Sequence, residues 1–194
     1  MNYSLSFTAG ALLTEESRLV APLFLEFEDL KLIRKSAIET RLLSARTESA
    51  GKRVLSEIIS RLTVLPTRGL ELVSHGRLEE ARQALWLACC LRYPIVADFA
   101  EGPLAESSRL PGGSISTQDL ESFFLSQQAL HPELSAVSEG TKAKLRQVLR
   151  LMLVQAGFLS DSGRVGRGLL APGITELIHE IPRSKLWVGG MFLP

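Results

Sequence analysis

With 194 residues, 45% of them hydrophobic, and a formal charge of +1, the chain carries enough apolar material for a real core and no compositional bias toward disorder. Its longest apolar runs, near residues 84–91 and 19–27, fall well short of the ~20 residues that a membrane span needs. Membrane insertion is set aside, and a soluble cytoplasmic protein is expected.

The apolar start, Leu5 to Leu13, lacks a basic flank and runs into Thr14, Glu15 and Glu16, so it does not read as a secretory signal. Leu12, Leu13, Leu19, Val20, Leu23, Phe24 and Phe27 mark a first amphipathic helix, which Pro22 kinks or divides. Asp29 caps a short helix reaching about Thr40. Val54, Leu55, Ile58, Ile59 and Leu62 define a longer one from near Thr47 to Leu65, stopped by Pro66, in which Arg53, Glu57 and Arg61 stand four apart as ion pairs. A short helix over 67–75 ends at Gly76. Arg77 to Arg92 is then apolar on nearly every side, as befits the centre of a bundle. Its neighbouring Cys89 and Cys90 have no second pair to bridge and read as small buried hydrophobes in a reducing compartment. Pro94 breaks this helix, and 95–106 continues as another segment.

Residues 107–117, SSRLPGGSIST, form the best linker in the chain. The expected fold is therefore all-α, with an N-terminal helical bundle over 1–108, a linker at 109–116 and a C-terminal winged-helix-like domain over 117–194. Ser116 or Thr117 caps a helix through Phe123, Phe124 and Leu125, and His131 and Pro132 precede a short turn. Leu145, Val148, Leu149, Met152, Leu153 and Ala156 then recur at helical spacing, between a Ser138 or Thr141 cap and Gly157. Lys142, Arg146 and Arg150 flank that stripe, Lys144 and Gln147 lie opposite it, and no carboxylate occurs from 142 to 155. The turn residues Asp161, Ser162 and Gly163 predict a small hairpin near 158–170, carrying Arg164 and Arg167 beside the basic helix. Helix, connector, basic helix and hairpin is the order of a winged helix-turn-helix. Pro172 to Glu180 forms a last short helix, and Trp187, Val188, Met191, Phe192 and Leu193 in the tail pack back on the domain or dock on a partner.

Charge is segregated along the chain. Residues 31–61 carry a net +5 and residues 142–167 another +5, whereas 95–139 carries −6 and the first thirty residues −4. This is the footprint of a polyanion-binding face set apart from an acidic one. The predicted DNA-binding set is Lys142, Lys144, Arg146, Arg150, Arg164 and Arg167, joined by Arg41, Arg46, Lys52 and Arg53. No aromatic residue lies between Lys31 and Arg61, which favours duplex DNA over stacked single strands.

Catalytic constellations are missing. His75, His131 and His179 are scattered without metal-ligand spacing, Gly51 and Lys52 lack the remainder of a P-loop, and neither G-x-S-x-G nor G-x-G-x-x-G occurs. A non-enzymatic protein without metal or cofactor is expected.

Finally, NYSLSFTAGALLTEESRLVAPLFLE, ARTESAGKRVLSEIISRL, QALWLACCLRYPIVADFAEG, HPEL at 131–134 and TKAKLRQVLRLMLVQAGFLS together resemble the BrxA family of bacteriophage-exclusion (BREX) defence loci, across most of residues 2–170. The resemblance implies a helical, cytoplasmic, DNA-binding protein with a fold reminiscent of the antitermination factor NusB. It also implies action beside the methyltransferase and ATPase components of a BREX system. Two other readings stand beside DNA binding: an assembly subunit of the BREX complex, and an RNA-binding protein in the manner of NusB.

Overall fold

In the computed structural model, which describes residues 5–166 and 170–188, the helix boundaries follow the capping chemistry of the sequence. Helix α1 (Thr14–Glu26) places Glu15 and Glu16 in its first turn, where the helix dipole favours negative charge. It runs on through Pro22, whose ring faces solvent, so the expected division does not occur. Asp29 accepts the Lys31 N–H at 2.8 Å to start α2 (Leu30–Glu39), and Thr47 accepts the Ala50 N–H at 3.2 Å to start α3 (Glu48–Leu62). Next come α4 (Thr67–His75), closed at Gly76, and α5 (Leu78–Arg92).

Helix α5 is the hub. Every residue from Ala84 to Cys90 is buried, and α1, α3 and α4 pack against it, as do the later α10 (Glu139–Gln155), α11 (Pro172–Glu180) and α12 (Ser184–Trp187). A helix without a polar face has to be surrounded in this way. Beyond it, α6 (Pro94–Phe99) passes through a widened π-type turn at Ala100–Leu104 into α7 (Ala105–Arg109). The wide turn takes in Pro103, which has no N–H to give an ordinary helix. After 110–116 follow α8 (Thr117–Leu130) and the short α9 (Pro132–Ser135).

The fold is all-α, with one apolar core running from Phe7 to Val188. Residues 109–116, expected as a linker, contribute to that core through Ile115, which is 3% exposed. At the far end the Trp86 indole N–H donates to the Trp187 carbonyl at 2.8 Å, and the Trp187 indole N–H donates to Glu101 at 2.7 Å. Trp187 and Val188 therefore pack back on the bundle, while Met191, Phe192 and Leu193 lie outside the described residues.

A deeply buried polar cluster joins α3 to the start of the chain. The Arg61 guanidinium, fully buried, donates to Glu57 at 2.9 Å, to the Gly10 carbonyl at 3.0 Å and to the Ala11 carbonyl, and the Tyr93 hydroxyl donates to the same Glu57 oxygen. Burial works against the charge on Arg61, but Cys89, Tyr93 and Glu57 around it outweigh that penalty and hold its pKa above the ordinary value. Burial likewise pushes the Tyr93 phenol up, so it stays protonated and able to donate. The spacing of Glu57 and Arg61 predicts an ion pair, and the structure places it in the core. Both residues thus leave the charged surface of the 31–61 block.

Candidate nucleic-acid interface

The apolar stripe of α10, comprising Leu145, Val148, Leu149, Met152, Leu153 and Ala156, is buried throughout, which turns the opposite side of the helix outward. Ser138 caps its start by accepting the Thr141 N–H at 3.2 Å. Its end closes on Gly157 in a left-handed conformation (φ 82°). There the Phe158 N–H reaches the Leu153 carbonyl at 2.9 Å and the Gly157 N–H reaches the Val154 carbonyl at 3.1 Å, the paired bonds of a Schellman motif. Helices α5 and α8 and the 3₁₀ turn Ser6–Ala9 pack against α10, and just past that turn the Leu12 N–H donates to Gln155 at 2.9 Å.

Beyond Gly157 the backbone folds into a minimal hairpin. The Ser160 N–H meets the Arg164 carbonyl at 2.9 Å and the Gly166 N–H meets the Phe158 carbonyl at 3.0 Å. The returning arm also pairs with the segment before α8, through the Ile115 N–H to the Gly163 carbonyl at 2.8 Å and the Val165 N–H to the Gly113 carbonyl at 2.9 Å. Antiparallel bridges Leu159–Val165 and Ser114–Arg164 record this pairing. Two glycines permit it. Gly163 sits at φ 85°, and a Cβ on Gly113 would stand 1.8 Å from the Ser107 carbonyl oxygen.

The start of α8 is fixed by a reciprocal cap, in which Ser116 accepts the Asp119 N–H at 3.1 Å and Asp119 accepts the Ser116 N–H at 2.7 Å. The Ser116 hydroxyl and N–H hold the Asp119 carboxyl below its ordinary pKa. A depressed carboxyl contributes stability that is full above its unfolded value of about 3.9 and is lost as pH falls through the folded value. Because Asp119 is exposed and solvent screens its charge, Asp119→Ala is expected to lower stability by only about 0.5 kcal/mol at pH 7. Denaturant melts at falling pH should show the gap to wild type closing below about pH 4, and a gap that persists there would count against the cap.

The structure sorts the predicted cations. Lys144 is exposed on the outer face of α10, 3.2 Å from Gln147, and Arg164 is exposed on the hairpin. Arg146 is partly covered, 4.0 Å from Glu121 on α8. Arg150 donates to the Asp161 carbonyl at 2.5 Å and so braces the hairpin tip against the helix. Lys142 requires correction: its side chain is 6% exposed and its ammonium is bound to Glu139 at 2.8 Å, just outside the carboxylate-free window. The pairing holds the Glu139 carboxyl below its ordinary pKa. Arg167 lies outside the described residues.

Arg41, Arg46, Lys52 and Arg53 are exposed around the turn between α2 and α3, with Lys52 paired to Glu48 at 2.5 Å. Both α3 and α10 pack against the Ser6–Ala9 turn and α5. Sequence reasoning missed the parts played by Glu121, Glu139 and the 113–115 segment. Only Glu139, three residues before Lys142, left a signal in the spacing. Among the described residues no group of His, Cys, Asp or Glu is arranged to hold a metal, and no helix is long and apolar enough to cross a membrane.

A model of the BrxA family matches residues 1–181. This chain belongs to the BrxA family. A relative from Escherichia coli O9:H4 (strain HS), called BREX protein BrxA, is 30% identical over 160 residues, covering 80% of this chain and 73% of the relative. A protein of the same name from Bacillus cereus (strain H3081.97) is 23% identical over 161 residues, covering 81% and 78%. The BrxA fold described here also matches the crystal structure of an uncharacterized protein from Magnetospirillum magneticum, with a TM-score of 0.82 over 97% of this chain and 96% of that one, at 20% identity.

Proposed function

We propose that this BrxA-family chain is a non-enzymatic DNA-binding component of a BREX anti-phage defence system, acting in the cytoplasm beside methyltransferase and ATPase components. One observation carries the DNA reading: a paired backbone segment at 113–115, then α8, α9, the basic α10 and a hairpin that returns to pair with 113–115. That is the order of elements in a winged helix, with α10 as the recognition helix and 158–166 as the wing. Lys144, Arg146, Arg150 and Arg164 line one helix and its adjoining hairpin, and Arg167 extends the set in sequence. Neutralising phosphates with these side chains releases condensed counterions and gives affinity without base readout.

With about four phosphates contacted, the log-log salt slope of duplex binding is expected near −3 to −4. Reversing Lys144, Arg146 and Arg164 to Glu together is expected to weaken binding on the order of 100-fold or more at low salt, while Lys142→Gln changes it little. Titrations by fluorescence anisotropy against duplex DNA, single-stranded DNA and structured RNA provide the check. A flat salt response, an unchanged triple variant or tighter binding to RNA would sink the duplex reading.

A further inference from the structure

Between α2 and α3 the surface opens into a groove of about 410 Å³ whose lining is chemically mixed. Ala37, Ile38, Leu43 and Leu55 supply an apolar floor, and Arg41 and Lys52 stand among the polar lining. Ile38 is 45% exposed, and Leu30 and Leu32 on the same helix are exposed to a similar degree. The groove's single lining carboxylate, Glu48, is already in an ion pair with Lys52. Phosphates are met by charge alone and gain nothing from such a floor. An amphipathic helix with acidic flanks matches both parts of it.

A second observation concerns Arg41, which with Leu13 and Arg183 is one of three non-glycine residues at positive φ among the described residues. Helix α2 ends in a Schellman closure, with the Leu42 N–H on the Ala37 carbonyl at 3.0 Å and the Arg41 N–H on the Ile38 carbonyl at 3.1 Å. The left-handed residue of that motif, usually glycine, is Arg41 at φ 49°. A side chain held at a strained position costs stability, and such strain concentrates where a side chain is needed for function.

We propose that the α2–α3 groove docks an acidic amphipathic segment of a partner protein, with an apolar side chain between Ile38 and Leu55 and a carboxylate on Arg41. Of the two basic stretches, the one around Arg41, Arg46, Lys52 and Arg53 thereby serves a protein contact and the one on α10 and the hairpin serves DNA. The groove's part of this assignment stands without the DNA reading, and only the role of α10 and the hairpin rests on it.

The test uses the full-length chain and two labelled synthetic helices, one with leucines along one face and glutamates elsewhere, the other with the leucines changed to serine. The leucine helix is expected to bind at least ~10-fold tighter than its serine counterpart, and Ile38→Ser to remove most of that difference while duplex DNA binding is unchanged. Arg41→Gly is expected to weaken the peptide several-fold while raising the melting temperature by about 2–4 °C, so that lost binding cannot be ascribed to misfolding. Equal binding of the two helices would overturn the proposal by showing a charge-only surface. It would also fall if neither helix bound, if duplex DNA bound at the groove and weakened with Ile38→Ser, or if Ile38→Ser dispersed a concentration-dependent dimer.

Discussion

Replacing Arg61 with methionine is expected to lower the unfolding free energy by about 3–5 kcal/mol, although no surface charge changes. The guanidinium is fully buried and serves Glu57 and the carbonyls of Gly10 and Ala11 at once. Removing it strands a carboxylate that is 6% exposed, together with two carbonyls that lose their donor. Desolvating a charge without its partner is what makes such a loss large. The damage also travels: the Gly10–Ala11 turn follows Phe7, whose ring lies 5.2 Å from that of Tyr93, and it precedes Leu12, whose N–H rests on Gln155 of α10. Denaturant unfolding should show a lower midpoint at unchanged slope. The double change Arg61→Met with Glu57→Leu should recover part of the loss, because no charge is then stranded, although the Gly10 and Ala11 carbonyls and the Tyr93 hydroxyl still lose their Arg61 and Glu57 partners. A single variant losing under about 1 kcal/mol would show that the cluster is solvated.

Trp86→Ala is the other substitution with a large expected effect, about 3–5 kcal/mol from a vacated core site. Its indole meets the Phe158 ring edge-on at 5.5 Å and donates to the Trp187 carbonyl. Phe158 opens the hairpin, so the cavity forms beneath the proposed wing. Trp86→Phe keeps most of the apolar area and loses the N–H, which predicts a smaller cost of about 1 kcal/mol. In titrations held well below the melting point, Trp86→Ala should weaken duplex binding while leaving the salt slope near that of wild type, since every cation is retained. A changed slope with full affinity at low salt would contradict this account of how the hairpin is supported.

Much of the C-terminal half was legible because its signals are local. The stripe from Leu145 to Ala156, the Ser138 cap and Gly157 each act within one or two turns, and the structure uses each as the spacing predicts. The hairpin was visible only in part. Asp161, Ser162 and Gly163 announce a turn, but the partner of its returning arm, Gly113 to Ile115, lies some fifty residues earlier in a stretch that reads as a linker. Burial of charge was the least legible feature. Glu57 and Arg61, like Lys35 and Glu39, are four residues apart on a helix, and only the packing of Tyr93 and the Gly10–Ala11 turn puts the first pair inside. For the same reason Lys142, on the margin of the α10 stripe, sinks from view while Lys144 stays in solvent.

Beside the backbone pairing with 113–115, the brace between Arg150 and the Asp161 carbonyl adds a side-chain tie between α10 and the hairpin tip, made by a guanidinium that an anion would also seek. On the DNA reading proposed above, a phosphate at Arg150 would have to share that guanidinium with the carbonyl, and sharing would tie helix and hairpin tip to one strand.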